Sequence, residues 1–260
     1  MPRMRWRADG VEGVSLSDHV TLLRDLEHGA ELRVAGGRLT RGAGYDSAQR
    51  ATRHSLARTG AILRLRQRNR FYVHASGVVD RSGRAFVFVG ASGSGKSTIA
   101  FALARRGWTL LGDDGVVLER IEHGTIVHGW RSPLLVSAAL DRFFPELQGA
   151  AERAIPGDAR RRVPCEVGVS ARAPLAALVF LERARAGSLR ICGASGALMK
   201  LISQSPWVLL GDSHTPEHFS ALQRIVADTR LLSFRHGPAE LMRVGDLFEG
   251  TNSHLTGAMA

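Results

Sequence analysis

Phe86-Val87-Phe88-Val89-Gly90-Ala91-Ser92-Gly93-Ser94-Gly95-Lys96-Ser97-Thr98 is the stretch from which the rest of the chain can be read. An apolar run with strand character enters a glycine-rich turn, and the turn ends in Gly-Lys-Ser at the head of a helical pattern. Gly90, Gly95, Lys96 and Ser97 fill the phosphate-loop pattern G-x-x-x-x-G-K-[ST]. Glycines let the backbone turn so tightly that successive N–H groups face one anion. The following helix adds the positive end of its dipole. Lys96 is placed for the β- and γ-phosphates and the Ser97 hydroxyl for Mg²⁺. For a chain of this composition a chance match is expected in roughly 0.3 % of cases. Of 35 Lys and Arg side chains only Lys96 and Lys200 are lysines, so a chain that writes nearly every cation as Arg has a Lys at this place.

Composition bounds the partners. The chain has 260 residues and a 44 % hydrophobic share, enough for one large domain or a domain with a small companion. Its net charge is +11, which suits anionic partners: a nucleotide, an acidic peptide, nucleic acid or a membrane surface. Basic and aromatic residues do not interleave, so no nucleic-acid platform is expected. No apolar run reaches spanning length and no secretory leader is visible, which predicts a cytoplasmic protein with no membrane partner. Cys165 and Cys192 form neither a disulfide framework nor a zinc pattern and read as reduced core thiols.

Residues 1–70 read as a small N-terminal α+β subdomain, rich in arginine. Val11–Leu16 and Ala30–Val34 are expected strands, Ser17–His28 a short helix capped by Ser17, and Asp46–Arg68 a longer helix that Gly60 weakens. Residues 71–250 read as an α/β phosphate-loop domain. Its expected elements are strands at Phe71–Val79, Ala85–Val89 and Trp108–Leu111, a helix at Thr98–Arg106, and a hairpin around His123-Gly124. A helix from Ser132-Pro133 to Leu147, a basic loop over 149–164 and a strand at Leu175–Leu181 follow. Then come a helix capped by Ser195, another from Thr215, a strand at Leu231–Phe234 and a last helix at Pro238–Phe248. A frayed tail is expected at 251–260.

Asp113 and Asp114 close the strand after the phosphate-loop helix, which in an open α/β sheet brings them to the carboxyl edge beside the loop. Consecutive strand residues point to opposite faces, so one carboxylate can hold Mg²⁺ while the other takes a proton from an incoming hydroxyl. His74, in the preceding strand, is placed to sit beside Asp113.

Three segments together resemble one family. They are His74-Ala75-Ser76-Gly77, then Gly90 through Ser97, then Arg106-Gly107-Trp108-Thr109-Leu110-Leu111-Gly112-Asp113-Asp114. In order and spacing they resemble the catalytic domain of HPr kinase/phosphorylase and its short relatives, and Ala173–Glu182 looks like a core strand of those proteins. The resemblance covers about residues 71–248. It implies a fold of the HPr kinase and phosphoenolpyruvate carboxykinase type, with transfer of a γ-phosphate from ATP to a serine hydroxyl of a protein or peptide. Carried over, Gly90, Ser92, Gly93, Ser94, Gly95, Lys96, Ser97 and Thr98 would bind the nucleotide. Ser97 and Asp114 would hold Mg²⁺, Asp113 would be the base, and His74 would tune it. Arg161, in the basic run Arg160-Arg161-Arg162, would steady transition-state charge. After the Asp pair the chain reads His128-Gly129-Trp130-Arg131-Ser132-Pro133, where the bifunctional enzymes carry a glycine- and glutamate-containing segment linked to dephosphorylation. The likeness is therefore to short relatives that phosphorylate peptides, with a homo-oligomer as a further expectation. A kinase for a small metabolite alcohol and a non-catalytic nucleotide sensor stay open as alternatives.

Overall fold

Alternation of inward and outward residues builds the first of two compact units, residues 1–72 with 205–224. The structure is a computed structural model that describes residues 4–8, 10–130, 134–137, 144–145, 147, 160–163, 171–210 and 214–253. Five strands form an antiparallel meander in chain order: β1 (Arg5–Ala8), β2 (Val11–Ser17), β3 (Val20–Asp25), β4 (Glu31–Ala35) and β5 (Arg38–Arg41). Helix α1 (Arg50–Arg66) covers one face, and Val11, Leu23, Leu32 and Val34 of the sheet share a core with its Leu56 and Leu63. Trp6 meets Trp207 of the returning segment edge to face at 5.5 Å.

The helix expected over Ser17–His28 is instead the end of β2, a turn and β3. On a helix Leu22, Leu23 and Leu26 would share a face. In the hairpin, Leu23 is buried, Leu22 faces the other side opposite Val14, and Leu26 is 47 % exposed. Pairing with β2 and β4 outweighs the weak local helical period. Asp25 then fixes the next turn by accepting the His28 N–H at 2.7 Å.

Gly60 lies inside α1 after all, where a Cβ would stand 2.8 Å from Leu32 Cδ2 and 3.0 Å from Leu39 Cδ2. The glycine is where the helix comes down on the sheet. Gly60→Leu gains about 1 kcal/mol of helix propensity but overpacks this contact at a cost of roughly 1–3 kcal/mol and more for a long side chain. A lowered thermal midpoint is expected by calorimetry, whereas an exposed helical glycine would show a rise.

The second unit comprises residues 73–204 and 225–260. Strand β6 (Arg70–Val73) carries the chain into it, followed by β7 (Ala75–Val79) and β8 (Ala85–Val89). The single strand expected over Phe71–Val79 is thus broken at His74. After β8 come α2 (Lys96–Ala104), β9 (Thr109–Gly112), and the hairpin β10 (Val116–Ile121) and β11 (Gly124–Gly129). Strands β12 (Leu134–Ser137) and β13 (Arg160–Val163) pair with each other, Val136 opposite Arg161. This corrects the helix expected from Ser132 and the loop expected over 149–164: a paired ribbon takes up the ends of both, and most of the residues between lie outside those described. The rest is β14 (Arg172–Arg183), β15 (Ser188–Ile191), α3 (Ala194–Ser203), the last residues of α4 (Thr215–Asp228), whose larger part belongs to the first unit, β16 (Arg230–His236), α5 (Pro238–Met242) and α6 (Val244–Ser253). Gly193, not Ser195, stands at the head of α3. The expected last helix is two helices separated at Arg243, and α6 runs past Gly250 into the expected tail, of which 254–260 lie outside the described residues.

The sheet of this unit is mixed. Strand β14 begins antiparallel to β11, then runs parallel to both β8 and β16. Strand β7 is antiparallel to β8 and to β9, so β8 and β9 run the same way and end at one edge. All five residues of β8 are buried, as a central strand requires. Phe86, Phe88 and Phe234 each meet the fully buried Phe248 edge to face at 5.5–6.0 Å. Each such ring contributes about 1.5–3 kcal/mol through burial. That core anchors the strand from which the glycine-rich loop springs.

Candidate functional site

The loop departs from β8 at Gly90 and enters α2 at Lys96. Gly93 and Gly95 take left-handed φ values of 75° and 100°, which residues with a Cβ rarely adopt. Ser92 and Gly93 are exposed at the crown, while Ser94 and Lys96 are buried and Ser97 and Thr98 half-buried. The Lys96 ammonium folds back across the loop and donates to the carbonyls of Gly90 at 2.8 Å and Ala91 at 3.1 Å. Burial pushes its pKa down, and the Asp113 and Asp114 carboxylates partly offset the shift.

The residues fit a polyphosphate. Ser94 Oγ is buried without a hydrogen-bond partner, 2.6 Å from where a Cβ on Gly90 would sit. Such an orphaned hydroxyl inside a loop of N–H donors beside a cation is satisfied by a bound anion.

Beyond β9 the chain turns sharply at Gly112-Asp113-Asp114-Gly115. A Cβ on Gly112 would stand 2.7 Å from the Gly115 carbonyl, and Asp114 itself is left-handed with φ 60°. The turn sends the two carboxylates to different neighbours. Asp113, 1 % exposed, accepts from the Ser76 hydroxyl at 2.5 Å and the Ser97 hydroxyl at 2.9 Å. Asp114 is more open, and its Oδ1 lies 3.3 Å from His74 Nδ1, with both side chains about one-third exposed. The break at His74 is held by its N–H, which donates to the Gln204 carbonyl at 2.8 Å. The structure therefore pairs His74 with Asp114, where the sequence reading had set it beside Asp113.

No group of three His, Cys, Asp or Glu side chains able to hold a metal by itself occurs among the described residues. Mg²⁺ does not need one, since it is commonly bound by one or two carboxylates together with substrate phosphates and waters. Ser97 and Asp113, already joined, are the side chains beside the loop that fit this pattern. Arg161 lies on β13, as part of the β12–β13 ribbon.

Two residues given no role in the sequence reading belong here. Ser76, whose neighbour His74 drew attention, holds Asp113. His236, the last residue of β16, is 3 % exposed and reaches the loop itself, its Nε2 lying 2.8 Å from the Ser94 carbonyl oxygen. The signal for Ser76 was its place two residues on from His74 in the strand. None marked His236, which is remote in sequence and sits in an ordinary apolar strand.

Among the described residues, no helix is long and apolar enough to cross a membrane. No protein-family model matches the sequence, and no curated protein matches it. Among solved structures, the chain is similar to the HPr(Ser) kinase/phosphatase from Coxiella burnetii, at 14 % identity and a TM-score of 0.39, over 71 % of this chain and 98 % of that one.

Proposed function

We propose that the chain is a Mg²⁺- and nucleotide-dependent kinase that transfers a γ-phosphoryl group to a hydroxyl, that of a serine of a peptide or small protein, with ATP as donor. One observation carries the reading: the left-handed conformation of Asp114 sends two consecutive carboxylates to different neighbours, Asp113 to the Ser97 hydroxyl at the head of α2 and Asp114 to His74. A nucleotide sensor needs only the cradle. Phosphoryl transfer needs a cradle, a metal and a positioned base.

The geometry favours an assignment of the two carboxylates opposite to the one implied by resemblance. Asp113 is buried and occupied by two hydroxyl donors beside Lys96, which suits it to share Mg²⁺ with Ser97. Asp114 is open enough to meet an acceptor, and His74 can orient its carboxylate. In the step itself Asp114 takes the proton as the acceptor O–H bond breaks. The acceptor oxygen bonds the γ-phosphorus, the bond from that phosphorus to the β-phosphate bridging oxygen breaks, and the nucleoside diphosphate leaves. Lys96 and the loop N–H groups hold the phosphates in line, and Mg²⁺, when bound, neutralises their charge. Arg161 is retained as a candidate partner for the transferred group.

A peptide acceptor is supported by the outer face of the five-stranded sheet. There Arg5, Val14, Leu22 and Arg33 form one cross-strand row beside a groove of about 260 Å³. The neighbouring row is self-neutralised, since Arg7 pairs with Glu12 and Arg24 with Glu31. Arg5 and Arg33 make no ion pair among the described residues, which leaves a basic, partly apolar face suited to an acidic peptide.

The test is γ-labelled ATP with Mg²⁺ and an extract of the source cells, for the wild type beside Asp114→Asn, with the products passed through a small-pore filter. Label retained on protein or peptide, and lost in the variant, is the expected result. Label in a filterable organic phosphate would move the acceptor to a metabolite alcohol. Label in neither, with nucleotide still bound, would replace the kinase by a sensor.

A further inference from the structure

His236 is tied to the loop by topology. Strand β16 runs parallel to β14, and β14 parallel to β8, so β16 ends at the edge from which the loop leaves. The imidazole is enclosed: its ring stacks on Phe234 at 5.3 Å, and it closes on the Ser94 carbonyl and on Gly95. A carbonyl oxygen only accepts, so Nε2 carries the hydrogen in this contact. Burial lowers the ring's pKa, with Arg183 adding to the shift while the Ser94 carbonyl and Glu240 oppose it. The contact is therefore made by the neutral Nε2–H tautomer at neutral pH.

The consequence lies one bond further on. A trans peptide is planar, and its C=O and N–H point in opposite directions. Holding the Ser94 carbonyl toward the ring turns the Gly95 N–H away from it, and this N–H donates to no described group. With φ 100° at Gly95 and no side chain to bias it, the peptide would otherwise rotate at low cost. A Cβ on Gly95 would meet His236 Cε1 at 2.8 Å, so the glycine is needed for the ring as well as for the turn.

We propose that His236 is a positioning residue for the phosphate loop: by holding the Ser94–Gly95 peptide it presents the Gly95 N–H to a bound phosphate before the ligand arrives. This rests on the loop being a phosphate site, and the experiment separates the two. His236→Gln keeps a donor at about the same reach, and His236→Met is similar in length without one. Titration calorimetry with Mg·ADP, and thermal midpoints without ligand, are measured on both variants and the wild type. The Met variant is expected to bind Mg·ADP about tenfold more weakly, as the loss of one pre-placed hydrogen bond implies. The Gln variant should stay within about threefold of wild type, at a similar midpoint. Equal affinities for Met and Gln would overturn the positioning role, because a purely structural role would lower both midpoints and leave the affinity ratio unchanged. A wild type that does not bind Mg·ADP would overturn the phosphate-site reading itself. Should the Met variant not fold, the Gly95 amide of the wild type decides by NMR. Its resonance should shift on addition of inorganic tripolyphosphate with Mg²⁺; an amide that stays unshifted while the ligand binds would overturn the proposal.

Discussion

Asp114→Asn is expected to slow phosphoryl transfer by about 10²–10⁴-fold, the usual worth of a positioned general base, while Mg·nucleotide binds nearly as in the wild type. Asp113→Asn is expected to fail differently. Its amide oxygen can still accept from Ser76 or Ser97, so the turn should hold. What is lost is the anionic charge beside the loop, and with it at least the roughly 10–100-fold in metal affinity that disturbing a metal site's supporting groups costs. Calorimetric titration of nucleotide with and without Mg²⁺, together with single-turnover transfer, separates the two. In Asp113→Asn the Mg²⁺ dependence of binding should collapse, and in Asp114→Asn it should persist while transfer disappears. Full transfer by Asp114→Asn, with loss in Asp113→Asn at unchanged Mg²⁺ dependence, would return the base to Asp113. His74→Asn serves as the internal check: it should lower transfer less than Asp114→Asn, because it removes a group that orients the base rather than the base.

The contrast between the two carboxylates shows where sequence reading stops. The loop was legible because its information is local: glycines at the left-handed positions, a buried strand before, a helix after. The position of the Asp pair at the same sheet edge followed from the alternation of strands and helix. The separate neighbours of the pair did not follow, because the sequence argument placed both residues on a regular strand. Strand β9 ends at Gly112, and Asp114 lies in a left-handed turn, a conformation a few per cent of non-glycine residues adopt and Asp more readily than most. Near the N-terminus the helix read over Ser17–His28 lost to strand pairing with segments on both sides, which a local period does not register. The basic run at Arg160–Arg162 reads as a solvated loop by charge alone, and only its pairing with β12 makes it a strand. His236 escaped for the same reason in its strongest form, since its contact is with a loop about 140 residues earlier. Both histidines that reach the site do so at strand ends, His74 at a break and His236 at a terminus. These are the positions where a side chain leaves the sheet and meets the loops.

The preference of this chain for arginine makes Lys96→Arg the most discriminating change at the loop. Charge is conserved, yet transfer is expected to fall by two orders of magnitude or more, of the order that losing a transition-state charge contact costs. The reason is the seat. The ammonium lies between two carbonyl oxygens at 2.8 and 3.1 Å, on a residue only 7 % exposed. A compact point charge can swing from those carbonyls to a phosphate without leaving the loop. A planar guanidinium with five fixed donors is larger and stays charged, and it leaves most of its N–H groups unmatched there. It must either displace Gly90 and Ala91 or project out of the cradle. Lys96→Met is the companion change: it keeps the length, loses the charge, and removes the burial cost that depresses the lysine's pKa. It should therefore be at least as thermally stable as the wild type while failing to bind Mg·ATP tightly. If Lys96→Arg retained wild-type transfer, the cation would be acting only through its field, and the close seat formed by the Gly90 and Ala91 carbonyls would have no part in catalysis. If Lys96→Met bound and transferred normally, the loop would not be the phosphate site, and the kinase reading would fall with it.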